Sequence, residues 1–322
     1  MDTAARIAGK GTRPGHACQA EGLNDVTVLD GGMGRELLEI GAPFRQPEWS
    51  ALALIEGPEW VVRAHTNFID AGADVIITNS YAVVPFHLGE ERFAASGREL
   101  AALSGQLARQ AADDAPDDRS VRVAGSLPPL FGSYRPGLFD AADAPRIIDP
   151  LVDGLSSYVD VWLGETLSSI AEATAVRHAL ERAGAAAADR PLWISYTLHD
   201  SRQPRLRSGE PVTDAVSAAI ELGAEAVLFN CCLAESISAA IPIAVATAAG
   251  RATIGGYANR FVEAHVENVE ANAGLAALRD ELDPAHYTDL VAGWIDAGAT
   301  IVGGCCGIGP EHIAAIVRRV RS

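Results

Sequence analysis

The chain has 322 residues, 48% of them hydrophobic and 21% charged, which suits a soluble globular protein with a sizeable core. Lys plus Arg number 25 against 42 Asp plus Glu, a formal net charge of −17. So acidic a surface argues against nucleic-acid and anionic-membrane partners, and no apolar run reaches the roughly 18–20 residues that cross a bilayer.

Residues 1–24 carry Arg6, Lys10 and Arg13 among glycines and prolines, without the continuous apolar stretch of a secretory signal. They are expected to form a disordered arm, with 25–322 as a single folded domain. Of the five cysteines, Cys18 stands alone. The other four form two adjacent pairs, Cys231–Cys232 and Cys305–Cys306. That is no secreted disulfide framework, and it points to a reducing, cytoplasmic setting.

In chain order, eight short apolar runs read as strands: Val26–Asp30, Val75–Thr78, Val121–Gly125, Val159–Leu163, Leu192–Thr197, Ala226–Asn230, Ala252–Gly256 and Thr300–Gly303. Helical patterns lie between most of them. Over Pro58–Ala71, for example, Val61, Val62, His65, Phe68 and Ile69 share one face. One unit recurs at Ala71-Gly72-Ala73, Leu222-Gly223-Ala224 and Ala297-Gly298-Ala299. In each, a helix ends on a glycine suited to a left-handed cap, and an apolar strand follows. Eight strands with intervening helices, and reuse of this αβ unit, predict a (β/α)8 TIM barrel. The alternative is an open doubly wound sheet. Asp30-Gly31-Gly32-Met33-Gly34 lacks the spacing of the dinucleotide-binding fingerprint that such a sheet would favour. Two stretches exceed ordinary loop length: Leu127–Pro145, rich in proline and aromatics (Phe131, Tyr134, Phe139), and the acidic, partly helical Ala258–Pro284. Both follow strands and so lie on the barrel face that carries active sites.

The chemistry concentrates at two strand ends. Ile301-Val302-Gly303-Gly304 runs into Cys305-Cys306-Gly307, and Pro310 then opens a helix. Leu228-Phe229-Asn230 runs into Cys231-Cys232 in the same way. Strand ends on one barrel face converge, so one of the second pair can meet Cys305 and Cys306. Three thiolates suit Zn2+ and leave its fourth position open, as in catalytic rather than structural sites. Three thiolates and Zn2+ sum to −1. Such a site activates water poorly but holds a substrate thiolate well. The competing readings are buried free cysteines packed as small hydrophobes and a strained vicinal disulfide. Spacing alone does not choose between Cys231 and Cys232. His65, His178, His199, His286 and His312 each stand without a second His or Cys at i+3 or i+4, and none is placed at the metal.

Taken together, Asp30-Gly31-Gly32-Met33-Gly34, Asn230-Cys231 and Gly303-Gly304-Cys305-Cys306-Gly307 resemble the zinc-dependent homocysteine S-methyltransferases, a family that includes betaine- and S-methylmethionine-using enzymes. The likeness runs from about Val26 to Val320. It extends to Thr78-Asn79-Ser80-Tyr81, Glu165-Thr166 and Trp294-Ile295-Asp296-Ala297-Gly298-Ala299. The resemblance implies a TIM barrel with Zn2+ on Cys231, Cys305 and Cys306, the cysteine directly after Asn230 being the ligand. It implies L-homocysteine as acceptor, its amino group on Glu165 and Asp30, with Gly31, Gly32 and Asn230 also at the substrate. The second substrate is then a sulfonium or ammonium methyl donor. No catalytic residue beyond the metal ligands is expected, because attack at a methyl carbon needs no general base. The chain departs from the family at Ile308, at Tyr257-Ala258-Asn259 and in the loop from Gly125 to Pro136. The aromatics of that loop suit either a cation–π pocket for the donor or simple packing. Other readings are another thiol or selenol acceptor, a partner protein carrying methylcobalamin, and a non-catalytic zinc- or thiol-binding barrel.

Overall fold

The computed structural model describes residues 26–200, 203–262 and 277–322. The expected arm 1–24, Cys18, and the expected helical part of the 258–284 loop lie outside them. Eight parallel strands form one sheet: β1 (Thr27–Val28), β2 (Val75–Ile77), β3 (Arg122–Leu127), β4 (Val161–Leu167), β5 (Leu192–Tyr196), β6 (Ala226–Asn230), β7 (Thr253–Tyr257) and β8 (Ile301–Val302). Their order is β1-β8-β7-β6-β5-β4-β3-β2. The two ends meet through a parallel bridge between Leu29 and Val75, where Asp30 N–H donates to the Val75 carbonyl at 3.0 Å. The sheet therefore closes into the predicted (β/α)8 barrel.

Parallel strands need crossover connections, which bury the sheet on both faces. The period-two alternation of strand side chains then divides the core. Leu29, Val75, Ile77, Ala124, Leu163, Leu228 and Ile301 fill the barrel interior, and Cys305 packs on them. Val28, Ile76, Val123, Trp162, Val227, Phe229 and Val302 point outward to the helices.

The recurrent glycine unit has one physical basis. Gly72, Gly223 and Gly298 have φ of 104°, 80° and 103°. At each, paired hydrogen bonds close the preceding helix: Ala73 to Phe68 and Gly72 to Ile69, Ala224 to Ala219 and Gly223 to Ile220, Ala299 to Trp294 and Gly298 to Ile295. These are Schellman caps, and they turn the chain directly into β2, β6 and β8.

One expectation changes. β4 runs four residues past its predicted end at Leu163, so Glu165 and Thr166 lie inside the strand rather than after it. The β4–β5 register shifts between Gly164 and Leu167, a bulge that re-aims side chains at the strand end. The described ends of the 258–284 loop pair with each other, Phe261 against Leu278. Helix Pro310–Val320 follows β8 as predicted, with Ile313, Ile316 and Val320 buried.

Candidate metal centre

The sulfur atoms of Cys231, Cys305 and Cys306 lie within 4.8 Å of one another at the C-terminal mouth of the barrel, with 3.8 Å between Cys231 Sγ and Cys306 Sγ. Two devices bring them together. Cys231 adopts φ of 51° directly after β6. This left-handed step costs a non-glycine residue about 1–3 kcal/mol, and it separates the neighbouring thiols. Cys231 faces the other two sulfurs, whereas Cys232 is buried in the layer between barrel and helices. Burial pushes the Cys232 thiol up, away from ionisation. The geometry thus distinguishes two cysteines that spacing left equivalent. The second device is the loop after β8, tied by Cys305 N–H to the Ala258 carbonyl (2.9 Å), Arg260 N–H to the Cys306 carbonyl (2.8 Å) and Gly304 N–H to the Asp30 carbonyl (3.0 Å).

The donor set fits a thiophilic cation. Hydrogen bonds from Cys305 and Cys306 favour thiolate at Cys231, and those same bonds hold the Cys305 and Cys306 thiols up. Three such sulfurs ionise together only with a cation among them. Among the described residues, no histidine or carboxylate joins this cluster. His312 bonds to the Leu282 carbonyl, His286 pairs with Asp283, and His65 is buried on its helix.

The two candidate carboxylates are also at the mouth, and the Glu165 charge acts on Asp30. Asp30 is 1% exposed. Its Oδ2 accepts from Ile77 N–H at 2.8 Å, and its Oδ1 is buried with no partner among the described residues. Burial raises its pKa well above the usual range, and the nearby Glu165 charge adds to the shift. Glu165 accepts from Ser126 Oγ at 2.5 Å and Tyr257 OH at 3.4 Å. Burial pushes it up to about 7. A pair of desolvated carboxylates with spare acceptor capacity is a place for an ammonium group.

The remaining predicted residues, Asn230, Gly31 and Gly32, make close contacts within the protein. Asn230 is fully buried and its amide is saturated within the protein. Its Oδ1 accepts from Thr166 N–H (3.1 Å) and Ser195 Oγ (2.7 Å), and its Nδ2 donates to Thr166 Oγ1 (2.8 Å) and Cys305 Sγ (3.9 Å). It ties β4, β5 and β6 to the cysteine loop rather than presenting a free group to a substrate. Gly31 and Gly32 do permit a close approach, but to the chain itself. A Cβ on Gly31 would lie 2.2 Å from the Ile308 carbonyl oxygen, and one on Gly32 would lie 2.7 Å from that of Cys305.

Of the loop aromatics, Phe131 and Phe139 pack edge to face at 6.0 Å, partly buried against the core. Tyr134 instead reaches the centre, its hydroxyl 2.9 Å from Cys231 Sγ. Sequence reasoning missed Ser126, Tyr257, Trp49 and the role of Tyr81. Tyr81 bonds to Ser133 at 2.7 Å and packs edge-on to Trp49 at 6.3 Å. The family-like stretch Thr78–Tyr81 was the one signal that pointed to it.

A family model described as homocysteine S-methyltransferase matches residues 27–320. The chain is 29% identical to the homocysteine S-methyltransferase of Escherichia coli, the alignment covering 92% of this chain and 95% of that one. It is 28% identical to a selenocysteine methyltransferase of Astragalus bisulcatus, over 92% and 93%. A crystal structure of an E. coli homocysteine methyltransferase in its metallated form superposes with a TM-score of 0.74 at 27% identity, covering 92% and 96% of the two chains.

Gly32→Ala tests whether the cysteine loop is seated by contact with the β1 turn. The added carbon must displace the backbone of Cys305 and Cys306. The fold should persist, with stability lowered by about 1–3 kcal/mol and metal affinity lowered roughly tenfold or more, read by circular dichroism and metal titration. Unchanged metal affinity would contradict this packing role.

Proposed function

The chain belongs to the homocysteine S-methyltransferase family, and on that premise we propose that it transfers a methyl group from a sulfonium or ammonium donor, S-methylmethionine-like, to the sulfur of L-homocysteine, giving methionine. We further propose Zn2+ as the metal, with Cys231, Cys305 and Cys306 as its ligands. The observation that carries this reading is the meeting of three sulfur atoms within 4.8 Å at the mouth of the barrel. Three sulfur ligands leave a fourth tetrahedral position for an incoming thiol. Zinc held there would favour loss of the thiol proton and keep the sulfur nucleophilic.

The chain's own residues supply alignment. Glu165 and the Oδ1 of Asp30, which has no partner among the described residues, are suited to the ammonium of the amino acid. Ser126 and Tyr257 hold Glu165 in place while it waits. Asn230 fixes Cys305, and Gly31 and Gly32 act on the substrate indirectly by seating the loop that carries Cys305 and Cys306. Tyr81 lies within electrostatic reach of Cys231 and Cys306 and packs edge-on to Trp49, an aromatic pair that suits a positively charged donor. Bringing donor methyl and acceptor sulfur into line removes the entropic part of the barrier. No proton moves at the methyl carbon. The free cysteines among the described residues are compatible with a reducing, cytoplasmic location. Among the described residues, no helix is long and apolar enough to cross a membrane.

The similarity to a selenocysteine methyltransferase favours a second acceptor class, selenols and other thiols. A screen of methyl donors against homocysteine and selenocysteine, read by methylated product, decides the donor and ranks the acceptors. A metal-loaded protein that makes no methionine with any sulfonium or ammonium donor would contradict the proposal. Cys305→Ala should lose both bound zinc and turnover, and full turnover in that variant free of metal would contradict the role given to the cysteine.

Glu165 makes a separate prediction through its pKa of about 7. It must be ionised to hold an ammonium. Binding of methionine, which shares that ammonium but has no titrating thiol, should therefore tighten as pH rises through about 7. Glu165→Gln should flatten this dependence and weaken homocysteine binding by roughly 10- to 100-fold, the loss expected of a charge-assisted hydrogen bond. Calorimetry across pH checks both. An unchanged profile in the variant would remove Glu165 from the amino-group site.

A further inference from the structure

We propose that Tyr134 and Arg207 are a positioning pair for the cysteine centre: the Tyr134 hydroxyl donates a hydrogen bond to Cys231 Sγ, and the Arg207 guanidinium stacked on the phenol ring keeps it there. This rests on the reading that the three cysteines hold a metal. A sulfur that has given up its proton to bind a cation can only accept, so the hydroxyl is the donor across the observed 2.9 Å.

Four further observations show that the contact is built rather than incidental. Tyr134 sits at φ of 64°, a conformation that a bulky residue keeps only where its surroundings impose it. Arg207 Cζ lies 5.1 Å from the Tyr134 ring centroid. Arg207 Nε is buried with no hydrogen-bond partner among the described residues, and the ring face lies against the guanidinium instead. On its other side Arg207 Nη2 pairs with Asp200 Oδ2 at 3.1 Å, both side chains being 12% exposed.

Asp200 then returns the chain of contacts to its start. Its Oδ1 accepts from Leu233 N–H at 3.0 Å, two residues beyond Cys231. The circuit runs Cys231, Tyr134, Arg207, Asp200 and Leu233, and it joins the loops after β3, β5 and β6. The β5 loop that presents Arg207 is itself fixed by bridges from Leu198 to Leu206 and from Arg205 to Pro211.

The physical consequence concerns one of three sulfurs. A hydrogen bond drawn to Cys231 Sγ withdraws charge from that sulfur, so it donates less to a bound cation than it otherwise would. The Arg207 charge over the ring strengthens the phenol as a donor. The pair therefore orients the Cys231 side chain and tempers the negative charge of the centre.

The test uses Co2+ as a visible substitute for zinc in the full chain. Wild-type protein should show intense thiolate-to-cobalt charge-transfer absorption. Tyr134→Phe should move that absorption to lower energy, because charge returns to Cys231 Sγ, and weaken Co2+ binding about tenfold, because the Cys231 side chain loses the contact that orients it, with an unchanged far-ultraviolet circular dichroism spectrum. Arg207→Gln should shift the absorption in the same direction by a smaller amount, and it stands alone as the test should Tyr134→Phe not fold. In the double variant the Arg207 change should add nothing, because it acts through the ring. Absorption and affinity unchanged in Tyr134→Phe would overturn the proposal. So would an Arg207→Gln effect that persists undiminished in the Tyr134→Phe background. A wild type lacking thiolate-to-cobalt absorption would overturn the metal reading, and this one with it.

Discussion

The contact between the loop after β8 and the turn after β1 is the constraint on which the centre depends. Backbone meets backbone there, Gly304 N–H on the Asp30 carbonyl and Gly32 N–H on the Ile308 carbonyl. No side chain fits between, since a Cβ at Gly31, Gly32, Gly303 or Gly304 would lie under 3.0 Å from a neighbouring atom. The glycines around the cysteines are thus a condition of closure. They let the turn after β1 and the loop after β8 pass close enough for Cys305 and Cys306 to stand over the mouth. Cys231 arrives from β6 by a left-handed step, 75 positions away from Cys306 in sequence.

Around this seam the protein gathers negative charge in a desolvated space. Three thiols, Asp30 and Glu165 share the mouth, and burial opposes ionisation of both carboxylates. Such a cluster is unfavourable alone, and cations would offset it: on the function proposed above, a metal for the sulfurs and an ammonium for the carboxylates. The binding energy of an amino-acid thiol can therefore be drawn from charge compensation already prepared in the fold, which is the form of preorganisation that alignment of two reactants requires.

Much of this was legible in the sequence, for reasons that can be named. The strands were short apolar runs bounded by glycine, and the repeated Ala-Gly-Ala unit announced Schellman caps at Gly72, Gly223 and Gly298. Cysteines at two strand ends could be placed on one face because a barrel converges them. Features set by a neighbour rather than by local sequence were not legible. The bulge that keeps Glu165 inside β4 is a register shift against β5. The separation of Cys231 from Cys232 follows from a single dihedral angle. The hydrogen bonds of Asn230 to Thr166, Ser195 and Cys305 join residues far apart in sequence. Tyr134 was one aromatic among several until the loop folded and left Phe131 and Phe139 packed on each other.

X-ray absorption at the zinc edge, with and without homocysteine, tests the central claim most directly. The account predicts three sulfur scatterers at about 2.3 Å and one lighter ligand in the protein alone, changing to four sulfurs when homocysteine is added. Fewer than three sulfurs in the protein alone, or no fourth sulfur with homocysteine, would contradict it.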